Sequence, residues 1–449
     1  MTIKNLLCAG ACGLSLAGLA APTVSDVVIQ PRWPWSTKVD VHFVLSGVDA
    51  PVDVACTFRN DGVALEQPAG SVTGDLTFLE NGAYTVTYDP VAAGYGSNVK
   101  LPALTVDIVP VTAKLYMIVD LKASLANTAE ARISYTNKVV GANSRWDDYY
   151  KTNCVVLRYI KAGTFMMGAK STESSRGIET SFRRQVTLTK DFYIGVFEIP
   201  QGIYKRILGS GYPYTAGNDF TAEQEFRPVA RVSYAHMRND SWSCTNSLAE
   251  ARTVTDGCWI GKFRAKTGGA LQFDLPTEAQ WEYACRAGTD TSFYNGYDIT
   301  SASATHDGNL DPLARYRYND GFKDDGATDP LSEYATVSTA NGTARLGTYA
   351  PNAWGLYDML GNAAEWVLDW CSGQANTEQQ DEAIAQTVDP RGPRTSNDMS
   401  RKFRTIKGGS WYDGASTCRC SSRTYGKSET GYRTEQHAGF RLCLTPNEY

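Results

Sequence analysis

The chain has 449 residues, a formal net charge of -5, and 42% hydrophobic and 20% charged residues. This length is enough for two or three domains, each with its own core. The negative charge argues against a nucleic-acid partner, because no basic excess offsets the phosphates. With 25 Tyr, 10 Trp and 40 Gly, the composition indicates loop-rich structure with aromatic packing rather than a helical bundle.

The first twenty residues have the pattern of a secretory signal peptide. One lysine precedes the apolar run LLCAGACGLSLAGLA, and we expect cleavage after Ala20. A lipoprotein anchor at Cys8 or Cys12 would leave too few apolar residues before the cysteine. The run is too short to span a membrane, and no later segment approaches eighteen apolar residues. The sequence therefore predicts a signal peptide at 1–20 and a secreted or periplasmic (cell-envelope) protein with no membrane span in the mature chain.

Export would place the cysteines in an oxidising compartment, where disulfides form. Of 11 cysteines, the two in the predicted signal peptide are removed, so nine remain. Nine is odd, so at least one thiol is free or pairs between molecules. The connectivity does not follow from the cysteine count.

Residues 22–136 have the alternating pattern of an all-β domain. Apolar residues recur with a period of two, and turn sequences separate the runs, with the runs at 38–46, 84–88 and 104–108 and the turns at 60–62 (NDG) and 80–82 (ENG). The pattern predicts an immunoglobulin- or fibronectin-like β-sandwich that closes with strands at 114–121 and 131–136. Such modules more often space or bind than catalyse, and His42 is interpreted as an ordinary strand residue.

The C-terminal part of the sequence predicts a different mixture of secondary structure. A polar linker is predicted at 137–153, and a domain of short strands, isolated helices and long loops at 154–446. Segments that end in glycine predict helices at 200–209 and 256–269.

A third helix has a physical start signal. Thr277 is a good N-cap residue, and Gln280 three positions later completes a capping box. Trp281, Ala284 and Cys285 then share one face, which is expected to pack inward.

Seven phrases follow one another between residues 163 and 444, namely GTFMMGA, VTLTKDFYIGVFEI, RPVARVSY, LPTEAQWEYACRAGT, NAWGLYDMLGNAAEWVLDW, IKGGSW and GFRLCL. In this order they resemble the formylglycine-generating enzyme family, also called sulfatase-modifying factor domains. The resemblance covers the C-terminal two thirds of the chain. It implies a mixed α/β fold related to C-type lectins, with little regular secondary structure.

The resemblance implies more than one function. The best-known family members oxidise a cysteine of a sulfatase to formylglycine, using oxygen and a copper ion held by two cysteines. Other members pair the fold with an iron-binding domain that supplies a histidine cluster, and some are binding proteins. The four histidines of this chain form no H-x-H or H-x3-H cluster, so iron is not predicted.

The copper position lies in GGSWYDGASTCRCSSR at 408–423. In the oxidising members, two cysteines with C-x4-C spacing follow the GGS turn, and paired thiolates suit Cu(I). Here the first position falls on Asp413. Counting forward puts the second on Cys418, whereas counting back from Cys420 puts it on Ala415, because the loop is shorter. Either way the pair is incomplete, which argues against copper and leaves Cys418 as the one catalytic candidate.

The other cysteines are interpreted as structural. Two sulfurs at 418 and 420 do not complete a tetrahedral metal site. The resemblance implies a bridge from Cys285 to the final GFR segment, here Cys443, which lies one residue later than in the family pattern. Cys244 and Cys258 flank a segment longer than the family norm and are predicted to bridge each other.

The resemblance also implies structural calcium. The first family site would use Asp358, Glu365 and the carbonyls of Gly361 and Ala363, and the second would use Asn309, Asp320 and the carbonyls of Leu310 and Phe322. These groups are the hard oxygen donors that calcium prefers. Calcium would clamp long loops that lack a strand ladder.

Two functions from different classes therefore stay open. One is a lectin-like binding module on a β-sandwich, which presents aromatic residues to an envelope or extracellular protein or to a glycan. The alternative is an oxidase that generates formylglycine or a related modification on exported proteins. Asp413 at the first metal position favours the binding module. Convergence of Cys418 with a second available thiol in an open pocket would favour the oxidase.

Overall fold

The computed structural model describes residues 21–68, 70–122, 131–175, 183–208, 224–238, 254–300, 306–319, 342–371, 385–393, 403–427 and 437–445. The chain divides into two compact units, of which unit 1 is Met1–Leu115 and unit 2 is Tyr116–Tyr449. The described residues are mostly β-sheet with few helices. None of the described helices is long and apolar enough to cross a membrane. The predicted signal peptide lies outside the described residues.

The strands of unit 1 are β1 Thr23–Pro31, β2 Val39–Ser46, β3 Val52–Asn60, β4 Val63–Ala64, β5 Val72–Gly74, β6 Gly82–Tyr88 and β7 Leu104–Thr112. They form two antiparallel sheets with the orders β1-β2-β6-β5 and β4-β3-β7. Alternation along β2 buries Val41 and Phe43. Phe58 from the other sheet joins the same hydrophobic cluster, so both sheets contribute to one core.

The strands of unit 2 are β8 Tyr116–Asp120, β9 Arg132–Thr136, β10 Cys154–Ile160, β11 Gly163–Met167, β12 Arg184–Leu188, β13 Phe192–Gly195, β14 Ala364–Trp370, β15 Phe403–Lys407, β16 Arg423–Lys427, β17 Ala438–Gly439 and β18 Cys443–Leu444. Three sheets have the orders β18-β13-β10-β8-β9, β11-β12 and β16-β15-β14-β17. Chain segments far apart in sequence are therefore neighbours in every sheet except the β11-β12 hairpin.

The boundary between the two units differs from the sequence prediction. The segments predicted to close the N-terminal sandwich, 114–121 and 131–136, instead supply β8 and β9 of unit 2. Strand β8 pairs with β10 from Asp120 opposite Cys154 to Tyr116 opposite Arg158. The physical reason is that four successive residues of β8 are buried, as in a strand covered on both faces.

The predicted linker at 137–153 is also part of unit 2. It contains the 3₁₀ turn Ala142–Ser144 and helix α1, Asp148–Thr152. Trp146 is 3% exposed, and its ring lies edge-on to Tyr116 with the centroids 5.0 Å apart. Polar composition predicted a linker, but one buried tryptophan holds the segment against the sheet.

The remaining helices are α2 Gln201–Leu208, α3 Tyr234–Met237, α4 Trp259–Lys266 and α5 Glu278–Arg286, with a further 3₁₀ turn at Gln224–Phe226. The helices predicted at 200–209 and 256–269 are confirmed as α2 and α4. The capping box of α5 is confirmed too, since both reciprocal bonds between Thr277 and Gln280 are present. The inward face of α5 is fully buried.

A buried ionic network fixes α5 against β15. The Lys407 ammonium donates to Glu282 Oε2 at 3.1 Å and lies 3.7 Å from Glu278. Glu282 Oε1 also accepts from the Arg286 guanidinium and from the Gly168 amide at 2.7 Å. Burial alone would raise the pKa of Glu282, but Lys407 and Arg286 outweigh it and lower that pKa to about 2.

We expect Lys407→Met to destabilise unit 2 by up to about 3–5 kcal/mol, because it removes the buried cation that Glu278 and Glu282 share. Among the described residues, Glu282 then keeps only Arg286 as an ion-pair partner, and Glu278 keeps only Arg423.

Lys170→Ala is the matched control, since Lys170 pairs with Asp298 at the surface and such pairs contribute about 0–1 kcal/mol. Chemical denaturation of both variants measures the free energy of unfolding. Equal destabilisation by the two substitutions would contradict the network's role.

The same network has a defined pH dependence. The pKa of Glu282 is lower in the folded state than the ordinary value of about 4.3. Its stabilisation is therefore complete above about pH 4.3 and is lost as the pH falls towards 2.

Candidate functional site

The turn that follows β15 brings the predicted metal positions together. Gly408 and Gly409 have φ of 87° and 68°, in the left-handed region that favours glycine. A Cβ on Gly409 would lie 2.7 Å from Cys418 Sγ. Glycine at this position therefore lets the turn approach Cys418, which explains the GGS phrase physically.

Asp413 stabilises this turn through both its side chain and its backbone. Its Oδ2 accepts from the Ser410 amide at 2.9 Å and from the Ser410 hydroxyl at 2.6 Å. Its amide donates to the Ser410 carbonyl at 3.0 Å, and its carbonyl accepts from Arg317. Burial raises the pKa of the carboxyl, although the bonds from Ser410 and the Arg317 charge oppose that rise. Asp413 thus acts as a turn-forming residue at the first metal position.

Cys418 lies beside the same turn but is fully buried. Its Sγ lies 3.8 Å from the Ser410 carbonyl oxygen, within a cluster of apolar side chains. Burial and the nearby Asp413 raise the pKa of Cys418 well above its ordinary value, so the thiol stays protonated. Because the thiolate is the metal-binding and nucleophilic form, this environment disfavours both roles.

The thiol beside Cys285 is Cys420 rather than the predicted Cys443. The Cys285 and Cys420 sulfurs are 3.5 Å apart and both are buried. Cys443 Sγ instead contacts Gln280 Oε1 at 3.8 Å. The contact between Cys285 and Cys420 joins residues 135 positions apart, which no local pattern reports, and the bridge from Cys285 to Cys443 stays a prediction.

Cys258 has a local role. It is the N-cap of α4, where its Sγ donates to the Thr255 carbonyl at 2.9 Å and accepts from the Gly261 amide at 3.4 Å. Cys244 lies outside the described residues. The bridge between Cys244 and Cys258 therefore stays a prediction.

The first set of predicted calcium residues lies in a buried acidic cluster. Asp358 Oδ2 accepts from the Gly347 amide at 2.8 Å, whereas its Oδ1 is buried and has no hydrogen-bond partner among the described residues. Glu198 accepts from the Ala363 amide and from the Asn362 side chain. Burial raises the pKa of Asp358 to about 6 and that of Glu198 well above its ordinary value.

The Glu365 carboxylate, unlike that of Asp358, accepts hydrogen bonds at both of its oxygens. Arg441 Nε donates to its Oε2 at 2.7 Å, and Trp281 Nε1 donates to the same oxygen at 2.7 Å. Arg441 also contacts the second oxygen, Oε1. Of the two predicted carboxylates, only that of Asp358 therefore has an oxygen that accepts no hydrogen bond from the described residues. Within the described ranges, no three His, Cys, Asp or Glu side chains are arranged to hold a metal ion. Calcium here stays a prediction.

The second set is described only in part. Asn309 and Leu310 lie in a turn where the Asn309 carbonyl accepts from the Asn295 side chain at 2.9 Å. Leu310 is fully buried, and its amide donates to the Asp307 carbonyl. Asp320 and Phe322 lie outside the described residues.

An aromatic cluster, which we call the turn face, lies beside Asp413 and consists of the exposed Tyr412, its neighbours His437 and Arg317, and the buried Trp411. Tyr412 is 41% exposed, and its ring stacks on His437 with the centroids 4.8 Å apart at 18°. The Arg317 guanidinium lies 5.3 Å from the Tyr412 centroid, and Trp411 lies edge-on to His437. Burial, followed by the Arg231 charge, lowers the pKa of His437 to about 4, so this imidazole is neutral near pH 7.

Sequence reasoning did not assign the turn face. The adjacent aromatic residues Trp411 and Tyr412 after the GGS turn were the available signal. Arg317 and His437 are distant in sequence, and only the tertiary fold brings them to Tyr412.

The thiol geometry predicts which disulfide forms on oxidation. Refolded from the reduced, denatured state with oxidised glutathione, the chain should link Cys285 to Cys420, because thiol–disulfide exchange can reach both thiols before folding buries them side by side and releases reduced glutathione. Peptide mapping by mass spectrometry without reduction identifies the link. Cys285→Ser and Cys420→Ser should each abolish it, whereas Cys443→Ser should leave it intact. A peptide that joins Cys285 to Cys443 would contradict the observed geometry.

Comparisons with known proteins agree with the seven ordered phrases. The model of the "Sulfatase-modifying factor enzyme 1-like domain" family matches residues 147–446. A formylglycine-generating enzyme of Thermomonospora curvata is 34% identical over 38% of this chain and 49% of its own length. That of Bos taurus is 29% identical over 66% of this chain and 64% of its own length. A chaperone protein, LppX, of Paenibacillus barcinonensis is 27% identical over 53% of this chain and 75% of its own length.

The chain thus matches about half to two thirds of the length of the two enzymes. The family match covers well over half of the 449 residues and includes β14, β15 and the turn at 408–413. The chain therefore belongs to the sulfatase-modifying factor enzyme 1-like domain family.

Proposed function

We propose that this chain is an exported, non-catalytic binding protein whose turn face recognises its partner. The observation that carries the proposal is the pair of hydrogen bonds from Ser410 to the Asp413 carboxylate, at the position where the resemblance implies the first metal cysteine. A copper-dependent oxidase of this family needs two thiolates there, whereas this chain places one turn-forming carboxylate and one buried thiol.

The turn face supports recognition rather than oxidation. An exposed tyrosine that contacts both Arg317 and His437 offers a preorganised aromatic contact with a polar hydroxyl. Tyrosine, tryptophan and arginine are enriched in interfaces for this reason. The partner we propose is an envelope or extracellular protein or a glycan.

The range of relatives also supports a role other than oxidation. One protein that shares the family stretch is named a chaperone, and others are named formylglycine-generating enzymes. The fold thus occurs in proteins with different names, so family membership does not assign a reaction to this chain.

Unit 1 would act as the spacer or a second binding module of this exported protein. Its two antiparallel sheets share one core, which supports the immunoglobulin- or fibronectin-like sandwich as a proposal. Export would depend on the predicted signal peptide at 1–20. Calcium would be structural, and the buried Asp358 Oδ1 is the atom that supports it.

The alternative remains a formylglycine-type oxidase. It is favoured by the enzyme relatives and by Cys418, which stands at one family metal position. It requires Cys418 to ionise and a second ligand to replace Asp413.

A copper titration separates the two functions. We expect the wild-type chain to bind no stoichiometric Cu(I) in competition with bathocuproine disulfonate, and to leave a CxPxR peptide unchanged. Asp413→Cys restores the C-x4-C spacing next to Cys418 and should gain Cu(I) binding, which Asp413→Cys/Cys418→Ser should lose. Stoichiometric wild-type binding that is lost in Cys418→Ser, together with peptide oxidation, would establish the oxidase instead.

Binding through the turn face is tested directly on peptide and glycan arrays. We expect wild-type signals that fall about tenfold or more in Tyr412→Ala, because central aromatic residues dominate binding energy. Tyr297→Ala is the control, since Tyr297 is another exposed tyrosine of unit 2, at 59% exposure. Array signals that the two substitutions affect equally would remove the turn face from the proposal.

A further inference from the structure

Unit 1 exposes two tryptophans in the loop between β1 and β2. Trp33 is 65% exposed and Trp35 is 92% exposed, whereas Phe43 in the adjoining strand is 1% exposed. Large apolar side chains presented to water in this way mark interaction sites more often than isolated small ones do. The pair is not part of the turn face, which belongs to unit 2.

The loop that carries the tryptophans is well ordered by its own backbone. The Arg32 amide donates to the Lys38 carbonyl at 2.9 Å, and the Trp35 and Ser36 amides donate to the Arg32 carbonyl at 3.0 and 3.2 Å. The Lys38 amide donates to Ser36 Oγ at 3.2 Å. These bonds fix the backbone that carries both indoles, so binding would require little ordering of the loop backbone.

The outer face of the adjoining sheet carries a row of polar side chains. His42 bonds to Thr85 Oγ1 at 2.8 Å through Nδ1 and to Gln30 Oε1 at 3.2 Å through Nε2. The Thr87 hydroxyl donates to Asp40 Oδ1 at 2.7 Å. The strand register places Gln30 opposite Asp40 and His42 opposite Thr85. Amide, imidazole and hydroxyl groups therefore lie on one sheet face next to the loop.

The charges near the tryptophans are paired. The Arg32 guanidinium binds the Asp40 carboxylate through two bonds of 2.7 and 2.8 Å, and Lys38 lies 3.3 Å from Asp89. Burial of the Arg32–Asp40 pair is slight, yet its two parallel bonds fix the geometry. Because each cation has its own acid, the surface offers little attraction to a polyanion or to an anionic lipid headgroup.

We propose that the Trp loop, defined as Trp33 and Trp35 with the polar row Gln30, His42 and Thr85, binds a neutral polysaccharide. The C–H faces of pyranose rings stack on exposed indoles, and their hydroxyls exchange hydrogen bonds with amide, imidazole and hydroxyl side chains. Such a ligand is uncharged, which fits a surface whose charges are paired. Its apolar ring faces match the two tryptophans, and its hydroxyl groups match the polar row. This site is separate from the turn face and assigns unit 1 an activity of its own.

Affinity electrophoresis of the full chain tests the proposal with xyloglucan, galactomannan, barley β-glucan, pullulan and dextran in the gel. We expect retardation by at least one of these neutral polysaccharides, and about a tenfold or larger rise in the dissociation constant for Trp33→Ala/Trp35→Ala. Tyr297→Ala, which removes an exposed tyrosine of unit 2 that belongs to neither proposed binding surface, is the control and should bind as wild type. The two tryptophans are exposed, so their removal should leave the thermal unfolding midpoint unchanged.

Several results would overturn the proposal. Absence of retardation by all five polysaccharides would do so, as would retardation that survives in the double tryptophan variant. Binding to alginate or heparin alone would contradict a neutral ligand. Two other results would also overturn it if no polysaccharide binds. Cosedimentation with phosphatidylglycerol vesicles that is lost in the double variant would assign the loop to a membrane. A dimer, seen by light scattering, that is lost in the double variant would assign the loop to contact with a second copy of the chain.

Discussion

The buried Arg441 guanidinium is the interaction on which unit 2 depends. It is fully buried and donates to the Glu365 carboxylate, to the Gly195 carbonyl at 2.9 Å and to the Tyr357 carbonyl at 3.1 Å. One side chain thus joins the C-terminal segment to β13, to the start of β14 and to the loop before it. In a fold with little regular secondary structure, such a multidentate charge replaces part of a strand ladder. Removal of either partner would leave an uncompensated buried charge.

This interaction also explains why the family phrases occur together. The GFR phrase supplies Arg441, the AEW phrase supplies Glu365 and the VTLTKDFYIGVFEI phrase supplies Gly195. The same bond occupies Glu365, one of the donors that the family resemblance assigns to calcium. A residue of a family motif can therefore have a structural partner as well as the role that the resemblance implies.

The turn at 408–413 likewise has the family's backbone structure without the two cysteines that the resemblance implies for copper. Gly409 is required because a Cβ there would lie 2.7 Å from Cys418 Sγ. The Asp413 carboxylate accepts hydrogen bonds from the amide and the hydroxyl of Ser410. A thiolate that ligated copper at this position would not be available for those two bonds. The scaffold of the family is retained, and its surface carries Tyr412, Arg317 and His437 instead. Unit 1 adds exposed aromatic residues of its own on a hydrogen-bonded loop.

The amino-acid sequence by itself determined the features that depend on near neighbours. The capping box of α5 needs only Thr277 and Gln280, three positions apart, and the alternation of β2 needs only the period of a strand. The spacing also placed Asp413 where the family resemblance implies a metal cysteine. Each of these depends on residues whose separation in space is fixed by their separation along the chain.

The tertiary structure alone decided the contacts between distant segments. It placed β8 and β9 in unit 2, because β8 is covered on both faces by partners later in the chain. It placed Cys420 beside Cys285 across 135 positions, and it brought His437 to Tyr412. Periodicity and spacing carry no information about which distant surfaces meet, because that choice depends on packing the whole core at once.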